Sequence, residues 1–428
     1  MTWYRPTNQI VLEGDSIDVS SLAEKGRVAL EAAAGKAVAV VTRDQAVLLA
    51  AVLAGPELNL RLLVSSPERL GSDVRQRITA DVDYIYTDHA LSPTSSTPQR
   101  PAPIEPGLLL LTSGTTGPPK IIHHSYDTIN TYAGVEVESL RWICMYEPGT
   151  YAWYQVVMLA LVVPNQVLVI PASASIHDGY RALAANSVSA VPSTPSMWRY
   201  LQATVPKEEL AALPIRRISL GGERADQPLL DSLAELYPEA ALTHIFASTE
   251  TGAAVVVNDK REGFPTDWLD RPLNGGKVRL RIDDGTLWVK SAYGHLDSAE
   301  WINTGDAVDI VEDRVRFVGR GGERTINVGG SSVTCSTLED LVVAQPGVIW
   351  ARAYGRPDRF VGNLVALDVV VDRVSYPDLD AAERDIVTIC RAQLPAAYEP
   401  RWVTFLDRPE LGPNQKSAVA SSPAEQAP

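Results

Sequence analysis

Four short apolar runs constrain the fold of this 428-residue chain most: GLLLL (107–111), QVLVIP (166–171), SAVP (189–192) and RRISLGG (216–222), each running into Gly, Pro or Ser. Runs this short and this uniformly apolar are what strands buried on both faces look like. Such strands belong to parallel sheets covered by helices. Residues 36–65 repeat the pattern as strand, helix, strand: KAVAVVT, a Leu/Ala-rich segment, then LRLLVSS. The expected class is therefore α/β.

Beyond about residue 275 the texture changes. VRLRI, TLWVKS, AVDIVED and RVRFVGR alternate in polarity and are separated by Asp-Gly and Glu-Asp turn pairs, which predicts a small antiparallel β-rich subdomain. From about 334 a mixed pattern returns, with a helix over 336–344, strands near 349–354 and 364–371, and a helix over 380–393. This reads as a small α+β domain. Residues 91–106, LSPTSSTPQRPAPIEP, read as a surface loop, and 420–428 as a disordered tail with little to bury.

Charge and cysteine content narrow the function. With 38 Lys plus Arg against 52 Asp plus Glu, the formal charge is -14, so nothing in the bulk electrostatics draws the chain to nucleic acid. Cys144, Cys335 and Cys390 are far apart, without the spacing of a zinc site or a disulfide framework, which fits a reducing cytoplasm. The first residues lack the apolar run of a secretory signal. The greasiest stretch, 156–170, is interrupted by Pro164, Asn165 and Gln166 and is too short to span a membrane.

The segment LLLLTSGTTGPPK (108–120) carries a strand into a loop suited to phosphate oxygens. Gly114 and Gly117 let backbone N–H groups approach closely, Thr112, Ser113, Thr115 and Thr116 offer hydroxyls, and Lys120 adds a charge. The order is not that of a Walker loop. Further on come Gly221-Gly222-Glu223 after a strand, FASTETG (246–252), WINTGD (301–306), FVGRGGERTINVGG (317–330) and LGPNQKSAV (411–419).

Taken in this order, the segments resemble the signatures of the adenylate-forming ligase superfamily, which includes acyl- and aryl-CoA synthetases, peptide-synthetase adenylation domains and luciferase. The resemblance runs from 107 to 419. It implies a large N-terminal adenylation core (1–319), with mainly parallel sheets flanked by helices plus the β-rich subdomain, and a small mobile α+β lid (320–419).

It also implies roles. The 112–117 loop and Lys120 attend the phosphates of ATP, with Lys120 at the leaving pyrophosphate. Gly221, Gly222 and Glu223 lie against the adenine, and Phe246 stacks on it. Thr249 bonds the α-phosphate and Glu250 holds Mg²⁺, which favours a carboxylate plus phosphate oxygens. Asp306 accepts from the ribose hydroxyls and Arg320 contacts the ribose. Lys416 enters the active site during adenylation. The acid would sit among Tyr151 to Gln155, Ser193 to Met197, Gly221 and Ala247 to Ser248, with Trp153, Tyr154, Ser193, Ala247 and Ser248 as the candidate contacts; Trp153 and Tyr154 point to a small aryl or short acyl acid, and packing in the core is their alternative role.

The implied partners are that acid and an acceptor, which is CoA, a carrier-protein thiol or an amine. Rival readings are adenylation of an inorganic or other non-carboxylate oxyanion, and a non-catalytic nucleotide-binding homologue. Three departures from the pattern stand out. Only about 105 residues precede the phosphate loop, the junction GRGGERT lacks the usual aspartate and is one residue longer, and Gln415 replaces the glycine before the lysine.

Overall fold

The computed structural model describes residues 3–70, 78–79, 81–87, 90–94, 105–112, 120–132, 135, 137–173, 175–294, 300–320, 325–411 and 416. Among these, the apolar runs form strands of two mainly parallel sheets. One has eight strands in the order Gly252–Val257, Ala241–Ser248, Arg217–Gly221, Ala190–Ser193, Arg141–Ile143, Val167–Ile170, Gln9–Leu12, Asp15–Asp18. Its inner pairs are parallel and its two outermost pairs antiparallel. The other has six strands, ordered Ala90–Pro93, Tyr84–Thr87, Ala37–Val41, Arg61–Ser65, Gly107–Leu111, Ile121–His124, again parallel inside and antiparallel at both edges. The start of the expected 91–106 loop is thus an edge strand: Ala90–Pro93 pairs with Tyr84–Thr87, extended there by ladder bonds that composition does not report.

Packing explains both sheets. Every residue of Gly107–Leu111 is buried, and Gly107 is required there, because a β-carbon would lie 2.1 Å from the carbonyl oxygen of His124 on the next strand. Helix Tyr151–Val162 is capped by the Thr150 hydroxyl, which accepts from the Trp153 N–H; such a cap contributes about 1 kcal/mol. The helix lies between the two sheets and is apolar nearly all round, as a helix with no solvent face must be.

The alternating runs form the antiparallel sheet expected of them, with strands Phe264–Pro265, Arg314–Arg320, Ile302–Val311, Thr286–Ser291 and Val278–Asp283. Buried Arg314 ties this sheet to the loop before it. Its guanidinium donates to both Asp259 carboxylate oxygens and to the carbonyls of Arg261, Glu262 and Gly263. A guanidinium so fully satisfied holds loop 259–263 in place, and removing the Asp259 partner, itself 39% exposed, costs about 1–2 kcal/mol.

Residues 325–405 build a fourth sheet around Gly362–Val371, with helices Cys335–Val343 and Leu379–Gln393 contributing to a core of its own. Among the described residues no helix is long and apolar enough to cross a membrane.

Candidate active site

The carboxyl ends of Ala190–Ser193, Arg217–Gly221 and Ala241–Ser248 point toward the carboxyl end of Gly107–Leu111 in the second sheet. Crevices at such strand ends are where open α/β sheets bind ligands. A cavity of about 2050 Å³ occupies this place. Ligand pockets usually run to roughly 300–1,000 Å³, so this one has room for more than one small ligand.

Thr112 follows the strand Gly107–Leu111 and closes the base of the expected phosphate loop. Its N–H donates to the Lys120 carbonyl at 2.9 Å, and the Lys120 N–H donates to its hydroxyl at 3.0 Å. Thr112 and Lys120 both line the cavity. Ser113, Gly114, Thr115, Thr116 and Gly117 lie outside the described residues. Arg69 braces the same corner, donating to the carbonyls of Leu111 and Pro148.

At the end of Ala241–Ser248, the hydroxyl of Ser248 accepts from the Thr251 N–H at 3.1 Å and shapes a tight turn through Thr249 and Glu250. His124, fully buried on Ile121–His124, donates from Nε2 to the Thr249 carbonyl at 2.6 Å. Phe246, Ala247, Ser248, Thr249 and Glu250 all line the cavity. Phe246 stacks on Phe317, with centroids 4.7 Å apart and planes 19° apart, so one ring face is already covered. Glu250 makes no hydrogen bond or ion pair among the described residues. No group of three or more His, Cys, Asp or Glu side chains that could hold a metal ion is found among them. A lone unpaired carboxylate fits Mg²⁺, which takes one or two carboxylates and completes its shell with phosphate oxygens and water.

Gly221 and Gly222 line the cavity floor, and the Glu223 carboxylate accepts from the Ser196 N–H at 3.0 Å, fixing the turn against the start of helix Pro195–Thr204. From the third sheet comes buried Asp306, whose strand register sets it opposite Arg320. Ser336 and Lys416 enter from the C-terminal side. Arg224 crosses between the two parts, donating to Glu262 at 2.8 Å and to Asp340 at 2.9 Å.

Trp153, Tyr154 and Ser193 do not line the cavity, a correction to the acid pocket expected of them. On helix Tyr151–Val162 the cavity face is Tyr151, Ala152, Gln155, Val156 and Leu159; a helix turns 100° per residue, so Trp153 and Tyr154 face away. They pack edge to face in the core at 5.1 Å. Ser193 is buried on the opposite side of its strand from Pro192 and Thr194, which do line the cavity. Tyr151 and Gln155, the two ends of the expected stretch, do line the cavity. The Tyr151 hydroxyl accepts from the Ala253 N–H, and burial pushes its pKa upward, keeping it neutral. His124, Arg69 and Arg224 escaped the sequence reading because each acts through a contact distant in sequence.

A cavity at the joined carboxyl ends of two parallel sheets, faced by a third sheet and an α+β unit and lined by Lys120, Lys416, Glu250 and a glycine turn, is the ligand site of an α/β enzyme. A family model described as AMP-binding enzyme matches residues 21–291, and the chain belongs to that family. Among curated proteins, a 4-coumarate–CoA ligase-like protein of Oryza sativa subsp. japonica is 24% identical over 81% of this chain and 68% of its own length. An indenyl-propanoyl:CoA ligase of Rhodococcus jostii is 28% identical over 60% of this chain. The chain spans only half the length of the latter. Among solved structures, ATP-bound MatB from Rhodopseudomonas palustris superposes with a TM-score of 0.69 at 19% identity, over 96% of this chain and 94% of that one, a likeness of fold.

Proposed function

We propose that this chain activates a small carboxylic acid as its acyl adenylate. The acid's carboxylate oxygen attacks the α-phosphorus of ATP; the new C–O–P linkage forms as the bond to the β-phosphate oxygen breaks, and pyrophosphate leaves with that electron pair. The general class, AMP-forming acid ligation, follows from the family, whose relatives are CoA and carrier-protein ligases.

The observation that carries the reading is the meeting of Lys120, Thr249, Glu250, Asp306 and Lys416, drawn from four separate regions of the chain, around one cavity. Charge builds on the transferring phosphoryl group and on the departing oxygens, so positioning and neutralisation make up most of the catalysis. Thr249 and the loop at 112–120 orient the phosphates, with Lys120 at the leaving pyrophosphate. Lys416 bridges carboxylate and phosphate oxygens. Asp306, with Arg320 opposite, holds the ribose, and Phe246 offers adenine the face that Phe317 leaves open. Glu250 would hold Mg²⁺, which neutralises phosphate charge when bound. Residues 320–419 act as the lid that delivers Lys416. The acyl group then passes to a thiol of CoA or of a carrier protein, or to an amine, in the cytoplasm, where ATP is replenished.

The test is ATP-dependent pyrophosphate release across aryl, amino and short aliphatic acids, with the trapped adenylate weighed by mass spectrometry. Lys416→Ala is expected to lower the acid-dependent rate by on the order of 10²–10³ while ATP still binds. Pyrophosphate release independent of every acid, or unchanged in Lys416→Ala, would defeat the proposal.

A further inference from the structure

We infer that Arg217 reads a second, anionic group on the acid, at the end remote from the reacting carboxylate; the inference rests on the adenylation reading above. Among the described residues three arginines line the cavity: Arg69, Arg217 and Arg224. Arg69 and Arg224 are engaged by carbonyls and carboxylates of the protein. The Arg217 guanidinium makes no hydrogen bond or ion pair among the described residues, and its Nε is buried without a partner. The half-buried side chain lines the cavity, so a carboxylate bound there would give the guanidinium a charge-assisted acceptor that it lacks among the described residues.

Its place in the sheet sets the ligand's shape. Arg217 begins the strand Arg217–Gly221 whose far end leads into the glycine turn at Lys416. Alternate residues of a strand share a face, so Arg217, Ser219 and Gly221 line one floor, about 13 Å long at 3.3 Å per residue. Directly across from Arg217 on the two neighbouring strands are Ala190 and Ala241, side chains too small to cover a guanidinium. Helix Tyr151–Val162 supplies another wall of the cavity. There the polar atoms of Gln155 are already used, donating to the Ile129 carbonyl and accepting from the Thr131 hydroxyl. Val156 and Leu159 make the rest of that wall apolar. The fitting substrate is an elongated acid with an apolar or aryl middle and a terminal carboxylate, the group a guanidinium binds bidentately.

The test uses matched acids in which a terminal methyl is exchanged for a carboxylate, in an aliphatic and a cinnamate-type series. In the wild type, kcat/KM for adenylation is expected to favour the diacid of fitting length about tenfold to a hundredfold, the worth of a charge-assisted hydrogen bond. Arg217→Met should collapse that ratio and Arg217→Lys should restore part of it. Because the ratio compares two acids on one protein, a loss of folded enzyme cancels from it. Monoacids adenylated with the same ratio in wild type and Arg217→Met would overturn the assignment while leaving adenylation intact. If no acid yields pyrophosphate, the adenylation reading itself falls, and calorimetric titration of the diacids then decides: tighter binding to wild type than to Arg217→Met supports the assignment, and equal binding ends it.

Discussion

Lys416 lies directly against Gly222. A β-carbon on that glycine would sit 3.2 Å from the lysine Cε and 3.6 Å from its Nζ, and the glycine adopts φ +83°, a region that side chains with a β-carbon disfavour by about 1–2 kcal/mol. Gly222→Ala therefore both strains the turn and displaces the ammonium. We expect acid-dependent pyrophosphate release to fall at least about tenfold, one decade per 1.4 kcal/mol, in a protein that melts only a few degrees lower. A variant with full turnover would show that Lys416 works from some other position.

The ion pair from Arg224 to Asp340 joins the glycine turn to helix Cys335–Val343. With the arginine side chain 26% and the aspartate 45% exposed, its worth to stability is about 0.5 kcal/mol. We expect it also to favour the arrangement that holds Lys416 in the cavity. Asp340→Asn is expected to slow adenylation twofold to threefold, about what losing 0.5 kcal/mol of conformational bias gives, with KM for ATP unaltered. Stopped-flow measurement of pyrophosphate release checks this. A changed KM with unchanged kcat would point to a nucleotide contact instead.

How much of this was readable beforehand depended on the length scale of each signal. The α/β class and the antiparallel stretch after residue 275 were legible because burial on two faces or on one leaves a local pattern in sequence. Thr112, Lys120, Thr249, Glu250, Asp306 and Lys416 stood out in the sequence as polar residues of chemically apt type, and all line one cavity, Asp306 from a strand rather than a turn. Trp153 and Tyr154 were misplaced for a physical reason: helix Tyr151–Val162 is apolar on every side, so no stripe tells which face meets the cavity. His124, Arg217 and the Phe246–Phe317 stack depend on pairings between distant strands, and nothing local announces them.

His124 is a positioning residue. Its Nε2 contact at 2.6 Å holds the Thr249 carbonyl, and its Nδ1 faces the Thr128 hydroxyl at 3.2 Å. Replacing it by Phe keeps the bulk and leaves that carbonyl without its donor, a loss of about 1–3 kcal/mol. We expect His124→Phe to lower kcat about tenfold or more and His124→Gln, which can still donate, to recover part of the loss. Equal activity of the two variants would mean that volume alone matters there.

The neighbouring His123 predicts a pH dependence of stability. Burial first, and then the nearby Arg61 and His124, pull its pKa from 6.5 down to about 4, and its Nε2 has no hydrogen-bond partner. Between those two values the unfolded chain takes up a proton that the folded chain refuses. Stability therefore declines as pH falls from 6.5 toward 4 and, for this group, stops changing below that; at higher pH its contribution is fully present. A shift of this size corresponds at most to about 3.4 kcal/mol, and screening of a partly exposed ring brings it to roughly 1–2 kcal/mol. Urea unfolding midpoints measured from pH 7 to 4.5 should fall accordingly in the wild type, and His123→Gln should flatten that part of the slope. If the two slopes coincide, the proton is being taken up elsewhere, and the ring on strand Ile121–His124 is better solvated than its burial implies.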